Sequence, residues 1–388
     1  MEKQLSGRNG TGNRGGHRAG THRLPGGGRY GARPRTRKAS LPTGPGGRSR
    51  GSGTALGPLG GGGVMGSLRY FPFSSNGKAV GHLAAFQGMK LVYVFPGQGS
   101  QYQGMASGKL AEDPDAKRVF AAASEISGVD VLSLCSDGNP SLLARTDLCQ
   151  IGVASTSLAW LTLLEKEGYR PLGVAGHSLG ECCAACAAGC MGVEETLRLV
   201  WARGRSMLEC SISQPGSMLA VLGLQYEEVR ELVEEVRSGG FLYLANHNGS
   251  AQYVVSGDQP SLERMECLAR KRGARTARLK VSGAFHTPAF APAVEAVREI
   301  LRRIALRDPS LPFFSGLTGA PLADAASVAR ALAEGISSPV LWSEAQRGLV
   351  ELGAGMQVEV GPGKSLNTIA RRDHPRLAVR HASELLEG

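Results

Sequence analysis

Long apolar runs and secretion signals are what this sequence most clearly lacks. No stretch of about 18 consecutive apolar residues occurs, which argues against a membrane-spanning helix. No charged start is followed by an apolar signal core, so no secretory signal is predicted. Aromatic residues make up only 5% of the chain, but 42% of it is hydrophobic, enough for one large domain with a smaller one inserted. We expect a soluble, cytoplasmic protein that makes no membrane contact.

Acidic residues are almost absent from the first 88 positions. Glu2 stands there alone against 14 Lys and Arg, whereas residues 89–388 hold 30 basic and 32 acidic residues, a balance of −2. The net charge of +11 therefore belongs to the N-terminal segment. A body that binds nucleic acid needs a basic excess to contact phosphates, so we expect no nucleic-acid partner for residues 89–388.

The N-terminal segment, residues 1–88, carries 24 of the 55 glycines and no sustained apolar period. Such a composition cannot bury enough apolar surface to offset the entropy of ordering, which predicts disorder. Three interpretations remain open: a transit peptide for a mitochondrion or plastid, a nucleic-acid-binding segment, and an extension ahead of the domain. We favour the extension, because Met89 and Lys90 are followed directly by the apolar strand Leu91–Phe95, which is typical of the start of a domain.

Cysteine occurs eight times, but not in the spacing of a secreted disulfide framework, since four copies lie within residues 182–190. A reducing compartment fits this distribution best. The spacing of Cys182, Cys186 and Cys190 on a helix predicts small core residues rather than metal ligands. We expect no metal and no redox cofactor.

From Met89 onward, strands and helices alternate, which is typical of an α/β core. Residues 217–280 change this rhythm to βαββαβ, a ferredoxin-like pattern. The prediction is an α/β-hydrolase-like large domain, formed by residues 89–216 and 281–388, with residues 217–280 as an inserted ferredoxin-like subdomain. A cleft would lie between the two.

A candidate nucleophile stands in GHSLG at residues 176–180, between a short apolar strand and a helix. This is the nucleophile-elbow pattern, in which the glycines permit a sharp turn that presents Ser178 at a helix N-terminus. The backbone N–H of Leu179 would then point at a developing oxyanion. The alternative is a tight turn with a Ser helix cap.

Four separate motifs resemble the malonyl-CoA:acyl-carrier-protein transacylase family. They occur in order across essentially all of residues 89–388: FPGQGSQ at 95–101, GHSLGE at 176–181, GAFHTP at 283–288 and VGPGK at 360–364. The resemblance implies acyl transfer through a serine ester, without a metal or redox cofactor. None of it extends to residues 1–88.

A serine nucleophile needs a base within hydrogen-bond reach, and His286 is the candidate. Its place in GAFH matches the family's catalytic base. Asp258 would complete the chain order Ser, Asp, His of α/β-hydrolases, but its setting before Pro260 favours a helix cap. The resemblance instead implies a Ser–His dyad whose imidazole is oriented by a backbone carbonyl from the loop before residues 338–342. Family members often have Gln where Gly335 stands.

Gln98 lies in the Gly-rich turn after the first strand, and the resemblance implies that its N–H completes the oxyanion hole. A plain turn at the strand end is the alternative. A phosphate-binding loop is excluded, because no Gly-Lys-Ser/Thr follows and no dinucleotide spacing is present.

Arg203 indicates the substrate. On the helix that begins near Glu194 it shares a stripe with Leu199 and Met207, and an unpaired buried guanidinium is costly. A planar guanidinium suits a malonyl carboxylate, and the position matches the family's substrate arginine. A structural ion pair is the alternative.

Five further positions are of interest. The resemblance places Phe285 where polyketide acyltransferases distinguish malonyl from bulkier acyl groups, so its ring would exclude an α-methyl group. Asn246 and Asn248 could face the cleft or be turn residues. Cys182 stands where the family usually has an aromatic residue, and Ile151 where Pro is common.

The predicted function is transfer of malonyl from malonyl-CoA to the phosphopantetheine thiol of an acyl carrier protein, in fatty-acid or polyketide synthesis. The enzyme is expected to be a monomer. A thioesterase would share Ser178 and His286, but a neutral acyl chain gives it no use for Arg203. An inactive module that only docks the carrier protein would not need Ser178 and His286.

Overall fold

The computed structural model describes residues 89–386. The prediction of disorder for residues 1–88 lies outside this range. The strands are β1 (Leu91–Phe95), β2 (Gly173–Gly176), β3 (Ser217–Leu222), β4 (Leu242–Gly249), β5 (Gln252–Gly257), β6 (Arg275–Arg278), β7 (Phe313–Phe314), β8 (Val340–Leu341), β9 (Met356–Glu359) and β10 (Ala378–His381).

The α-helices follow the same chain order, with one turn of 3₁₀-helix at Pro288–Phe290. They are α1 (Lys109–Glu112), α2 (Pro114–Ser127), α3 (Val131–Ser136), α4 (Pro140–Leu143), α5 (Thr146–Lys166), α6 (Gly180–Ala187), α7 (Val193–Ser213), α8 (Tyr226–Arg237), α9 (Gln259–Lys271), α10 (Ala291–Leu301), α11 (Ala325–Glu334), α12 (Trp342–Glu351), α13 (Ser365–Asp373) and α14 (Ala382–Leu386).

The first sheet is entirely parallel, with strand order β10-β9-β1-β2-β7. Its central strand, β1, is a run of five apolar residues, all of them buried. Continuous apolar strands of this kind suit a parallel sheet that is covered on both faces. The adjacent strand, β2, pairs with β1 from Val92 opposite Gly173 to Phe95 opposite Gly176. The carboxyl ends of these two strands therefore lie side by side.

The second sheet has the order β6-β3-β5-β4-β8. Its first four strands pair antiparallel, whereas the two-residue β8 joins β4 in parallel. Helices α8 and α9 cover it with apolar residues at helical spacing, including Val229, Leu232 and Val236 of α8. Because β8 comes from a later part of the chain, it ties the second sheet to the residues that follow it.

Helix α5 is the central helix of the main core, and it packs against α2 and α7. By length and composition it is apolar enough to cross a membrane, but 94% of its most apolar window is buried inside the fold. It is the one helix of residues 89–386 that meets these criteria. Burial of this extent is what a core helix of a globular domain shows.

The structure is a mixed α/β fold with two sheets, as predicted from the alternating pattern. The strand predicted at Leu91–Phe95 and the βαββαβ order of elements predicted within residues 217–280 are both observed. The turn interpretation of Asn246 and Asn248 is wrong, since both side chains are buried in β4, where bulges shift the register. The edge strand β8 was not predicted.

Candidate active site

Ser178 occupies a sharp turn between β2 and α6. Its φ is +52°, a left-handed conformation that side-chain-bearing residues rarely adopt. A Cβ on Gly176 would lie 2.1 Å from the carbonyl carbon of Gly180, and one on Gly180 would lie 2.0 Å from the backbone oxygen of Phe95. The two glycines are therefore what allows the turn to pack against β1. The nucleophile-elbow geometry predicted from GHSLG is present.

His286 lies within hydrogen-bond distance of Ser178, although 108 residues separate them in sequence. Ser178 Oγ and His286 Nε2 are 2.9 Å apart. On the other side of the ring, Nδ1 lies 2.9 Å from the carbonyl oxygen of Gly335 and 3.1 Å from that of Ser338. Carbonyls only accept, so Nδ1 carries the hydrogen and Nε2 is left to accept the serine proton. The predicted orientation by a backbone carbonyl is confirmed.

The imidazole of His286 is neutral at ordinary pH. Burial, with added repulsion from the charges of Arg203 and His177, lowers its pKa from 6.5 to about 3. The two carbonyls at Nδ1 oppose this shift, because they stabilise the protonated ring. A neutral ring with a free lone pair on Nε2 is the form that can accept a proton.

Arg203 projects from α7 to the same serine. The residue is only 3% exposed; its Nη2 donates to Ser178 Oγ over 3.1 Å and its Nη1 donates to Gln150 Oε1 over 2.7 Å. No carboxylate of residues 89–386 lies within ion-pair distance of this guanidinium. The structural ion pair weighed as the alternative is therefore not formed. Burial lowers the pKa of Arg203, which reflects an incompletely compensated buried charge.

Gln150 is a site residue that sequence reasoning missed. It is fully buried on α5, where its Oε1 accepts from Arg203, and its Nε2 lies 3.4 Å from Gln98 Oε1 and 3.3 Å from Met207 Sδ. The side chain thus links the arginine to the turn after β1. Gln150 carries the one amide side chain of α5, whose other buried residues are mostly apolar or small, and this was the signal that could have identified it.

The two predicted oxyanion donors lie on adjoining turns. The turn that holds Gln98 packs against the elbow so closely that a Cβ on Gly97 would lie 2.5 Å from the backbone oxygen of His177. Within residues 89–386 neither the N–H of Gln98 nor that of Leu179 donates to another group. Both N–H groups are thus available to an incoming carbonyl oxygen, as an oxyanion hole requires.

Asp258 takes no part in this constellation. Its carboxylate accepts from the N–H of Ser261 over 2.8 Å and caps α9. The cap predicted from the sequence is confirmed, and the third member of a carboxylate triad is absent at this position.

Phe285, predicted to limit the size of the acyl group, is a buried residue next to His286. Its ring packs edge to face against Phe290, with ring centres 5.3 Å apart, in the main core. The pocket beside the serine is lined instead by Ser178, Glu181, Cys182, Arg203, Gly316, Leu317, Ala331, Leu332, Gly335, Pro339 and Val340. Phe285 is not among these lining residues, but neither is the base His286, so the effect of its ring on the size of the acyl group stays a prediction.

Glu181 and Asn248 are further polar residues close to the elbow. Glu181 Oε1 accepts from Ser315 Oγ over 2.7 Å and from the N–H of Gly316 over 3.1 Å. Asn248 Oδ1 lies 2.8 Å from Nε2 of His177, so β4 of the second sheet contacts the elbow directly. Asn248 therefore faces the site, which was one of its two predicted interpretations.

Three of the four clustered cysteines lie on α6, and Cys190 follows the end of this helix. All eight are free thiols, and Cys182, Cys183 and Cys190 are buried in the core. Burial raises the pKa of Cys182 to about 11, so this thiol stays protonated. Among residues 89–386 no group of His, Cys, Asp and Glu is arranged to hold a metal ion. The prediction of core residues agrees with this burial.

Comparison with known proteins identifies relatives across the described range. The family of acyl transferase domains matches residues 92–375. The malonyl CoA-acyl carrier protein transacylase of Bacillus subtilis is 34% identical over 297 residues, 76% of this chain and 94% of that protein. The protein of the same name from Salmonella typhimurium is 32% identical, over 73% of this chain and 92% of its own length.

Solved structures of malonyl transacylases are also similar to this chain. Malonyl-CoA:acyl carrier protein transacylase (FabD) of Xanthomonas oryzae superposes with a TM-score of 0.72 at 32% identity, covering 76% of this chain and 94% of that chain. A malonyl-transacylase in complex with its type II PKS acyl-carrier protein gives 0.73 at 29% identity, covering 76% and 98%. The chain therefore belongs to the acyl transferase family that includes the malonyl CoA-acyl carrier protein transacylases.

Proposed function

We propose that this enzyme transfers a malonyl group from malonyl-CoA to the phosphopantetheine thiol of an acyl carrier protein, through a malonyl ester on Ser178. The names of its relatives support the substrate and the acceptor. The observation that carries the proposal is the buried Arg203, unpaired with any carboxylate of residues 89–386 and 3.1 Å from the serine oxygen. An acyl group that ends in a carboxylate supplies the missing charge.

The first half-reaction follows from the geometry. Ser178 Oγ attacks the thioester carbonyl while His286 Nε2 takes the hydroxyl proton. Negative charge develops on the carbonyl oxygen, where the N–H groups of Gln98 and Leu179 stabilise it. Collapse of this intermediate breaks the carbon–sulfur bond, and the imidazolium returns its proton to the departing CoA sulfur. The enzyme is left as the malonyl ester.

The second half-reaction reverses these steps with a different thiol. The phosphopantetheine thiol gives its proton to His286 and attacks the ester carbonyl, and Ser178 leaves with that proton restored. The carbonyls of Gly335 and Ser338 hold the ring in one tautomer throughout. These steps need no metal and no redox cofactor, so we propose that the enzyme works without one.

The same proposal extends to the domain organisation. We assign residues 89–216 and 281–388 to an α/β-hydrolase-like domain and residues 217–280 to a ferredoxin-like subdomain. The order β6-β3-β5-β4, with two helices on one side, supports the subdomain because it is the order of a βαββαβ unit. The parallel edge strand β8 is an addition to that unit from outside residues 217–280.

Intact-protein mass spectrometry after incubation with malonyl-CoA alone tests the function. We expect a malonyl adduct on Ser178 that disappears when acyl carrier protein is added, and no adduct in Ser178→Ala. Ser213→Ala, which changes an exposed serine at the end of α7, is the control. Steady hydrolysis of malonyl-CoA with no transfer to the carrier would instead identify a thioesterase.

A further inference from the structure

Glu181 has one carboxylate oxygen that the fold does not use. The residue is 4% exposed and lies in the first turn of α6, three residues after the serine. Both of its hydrogen bonds, from Ser315 and Gly316, end on Oε1. Oε2 accepts from no group in residues 89–386. Oε2 is not among the fully buried side-chain atoms of residues 89–386 that lack a hydrogen-bond partner, and Glu181 lines a pocket, so this oxygen is accessible to a ligand.

This free oxygen lies beside the substrate pocket. Glu181, Ser178 and Arg203 line the same pocket. A Cβ on Gly316 would lie 3.6 Å from Oε2 and one on Gly335 would lie 3.7 Å from it, so the two glycines leave the oxygen uncovered. Glu181 on α6 and Arg203 on α7 line this pocket together and form no ion pair with each other.

We propose that Glu181 is a second binding group for the free carboxylate of the acyl chain, acting as a neutral acid that donates a hydrogen bond from Oε2. This inference rests on the proposed function. Arg203 supplies the positive charge, and Glu181 supplies a donor that no acyl group without a carboxylate can use. Discrimination between malonyl and acetyl groups would then depend on two residues.

The protonation state of Glu181 fits this role. Burial raises its pKa from 4.5 to about 7, against the opposing effects of Ser315, Gly316 and Arg203. Below about pH 7 the carboxyl group is therefore neutral and can donate. Above it the group is ionised, can only accept, and repels the carboxylate of the substrate.

Few other groups near Glu181 change charge in this pH range. From α6 itself the thiol of Cys182 faces the pocket with a pKa of about 11, and α7 contributes Arg203, whose guanidinium stays protonated. The segments from α11 to β8 and around Gly316 line the pocket without a charged side chain. His286 has a pKa of about 3, and burial lowers the pKa of His177 as well. A change in the rate of malonyl acylation between pH 6 and pH 9 therefore reflects ionisation of Glu181.

The test is the rate of Ser178 acylation, measured by rapid-quench mass spectrometry from pH 6 to pH 9 at subsaturating acyl-CoA. With malonyl-CoA the wild-type rate should fall by about tenfold per pH unit above pH 7. With acetyl-CoA it should show no such fall. Glu181→Gln keeps an acceptor for Ser315 and a donor for the pocket but cannot ionise, so its malonyl rate at pH 9 should approach its rate at pH 6.

Glu359→Gln is the matched control. Glu359 is also fully buried with a pKa raised by burial to about 7, but it binds the N-terminus of α13 and is not among the residues that line the pocket. This variant should keep the wild-type fall in malonyl acylation. If Glu181→Gln shows the same fall as wild type, or if acetyl and malonyl rates fall alike, the proposal is wrong.

A second measurement avoids reliance on the folding of the Glu181 variant. Calorimetric titration of Ser178→Ala with malonyl-CoA at pH 8, in two buffers of different ionisation enthalpy, should show uptake of nearly one proton per bound ligand. Binding without proton uptake would overturn the inference. Absence of any malonyl ester on wild-type Ser178 at any pH would instead refute the proposed function.

Discussion

Replacing Arg203 with Ala would test the substrate assignment most directly. The change removes a guanidinium that is 3% exposed and lies 3.1 Å from Ser178 Oγ. If Arg203 pairs with the malonyl carboxylate, its loss removes a charge-assisted, desolvated interaction that typically contributes about 2–5 kcal/mol. That corresponds to a loss of roughly 30- to 5000-fold in kcat/KM for malonyl transfer. Acetyl-CoA has no carboxylate, so its slow acylation of Ser178 should stay the same or increase.

The discriminating quantity is the ratio of malonyl to acetyl acylation of Ser178. Arg203 Nη2 also donates to the serine oxygen, and any effect of losing that bond acts on both acyl groups and cancels in the ratio. Arg205→Ala is the control, because Arg205 lies on the same helix with an exposed side chain. Equal losses for malonyl and acetyl groups would show that Arg203 only supports the fold around Ser178.

Three further predictions follow from the described contacts. Asp258→Asn should leave turnover within a few-fold, because Asn also caps helices; a loss of about 10⁴ would indicate a triad acid. Gly180→Ala should lower the free energy of unfolding by about 3 kcal/mol in denaturant titrations, the upper end of the usual cost of overpacking, since its Cβ would lie 2.0 Å from the oxygen of Phe95. Gly239→Ala, which meets only a flexible side chain end at 3.5 Å, is the control, and equal effects would contradict the packing argument. Acetyl acylation should stay flat from pH 7 to pH 5, because the pKa of His286 is about 3 and the neutral base persists; a tenfold fall per unit below pH 6.5 would refute this.

Local sequence patterns predicted local structure well. Asp258 could be assigned as a cap because the i to i+3 contact with Ser261 depends only on neighbouring residues. The elbow at Ser178 could be predicted because its two glycines and flanking strand and helix are contiguous in sequence. Ser178 and His286 were paired by motif resemblance, and the structure brings them to 2.9 Å.

Contacts between distant segments left no comparable signal. Glu181 meets Ser315 across 134 residues, and His177 meets Asn248 across 71, and neither contact produces a periodic pattern. Strand β8 is only two residues long, too short for alternation to reveal it. The direction of the Phe285 ring depends on tertiary packing against Phe290, which no spacing encodes.

Backbone strain connects the fold to the chemistry of the site. Ser178 and His286 are the two non-glycine residues of 89–386 with positive φ, at 52° and 61°. Such conformations cost about 1–3 kcal/mol each and persist only where the surroundings hold them. The elbow glycines hold the serine, and two carbonyls hold the imidazole. Each strained residue positions one end of the 2.9 Å hydrogen bond, so relaxation of either backbone would separate nucleophile from base. The stability of the fold thus keeps the pair assembled before the acyl group arrives, and acylation needs no rearrangement of the protein to bring them together.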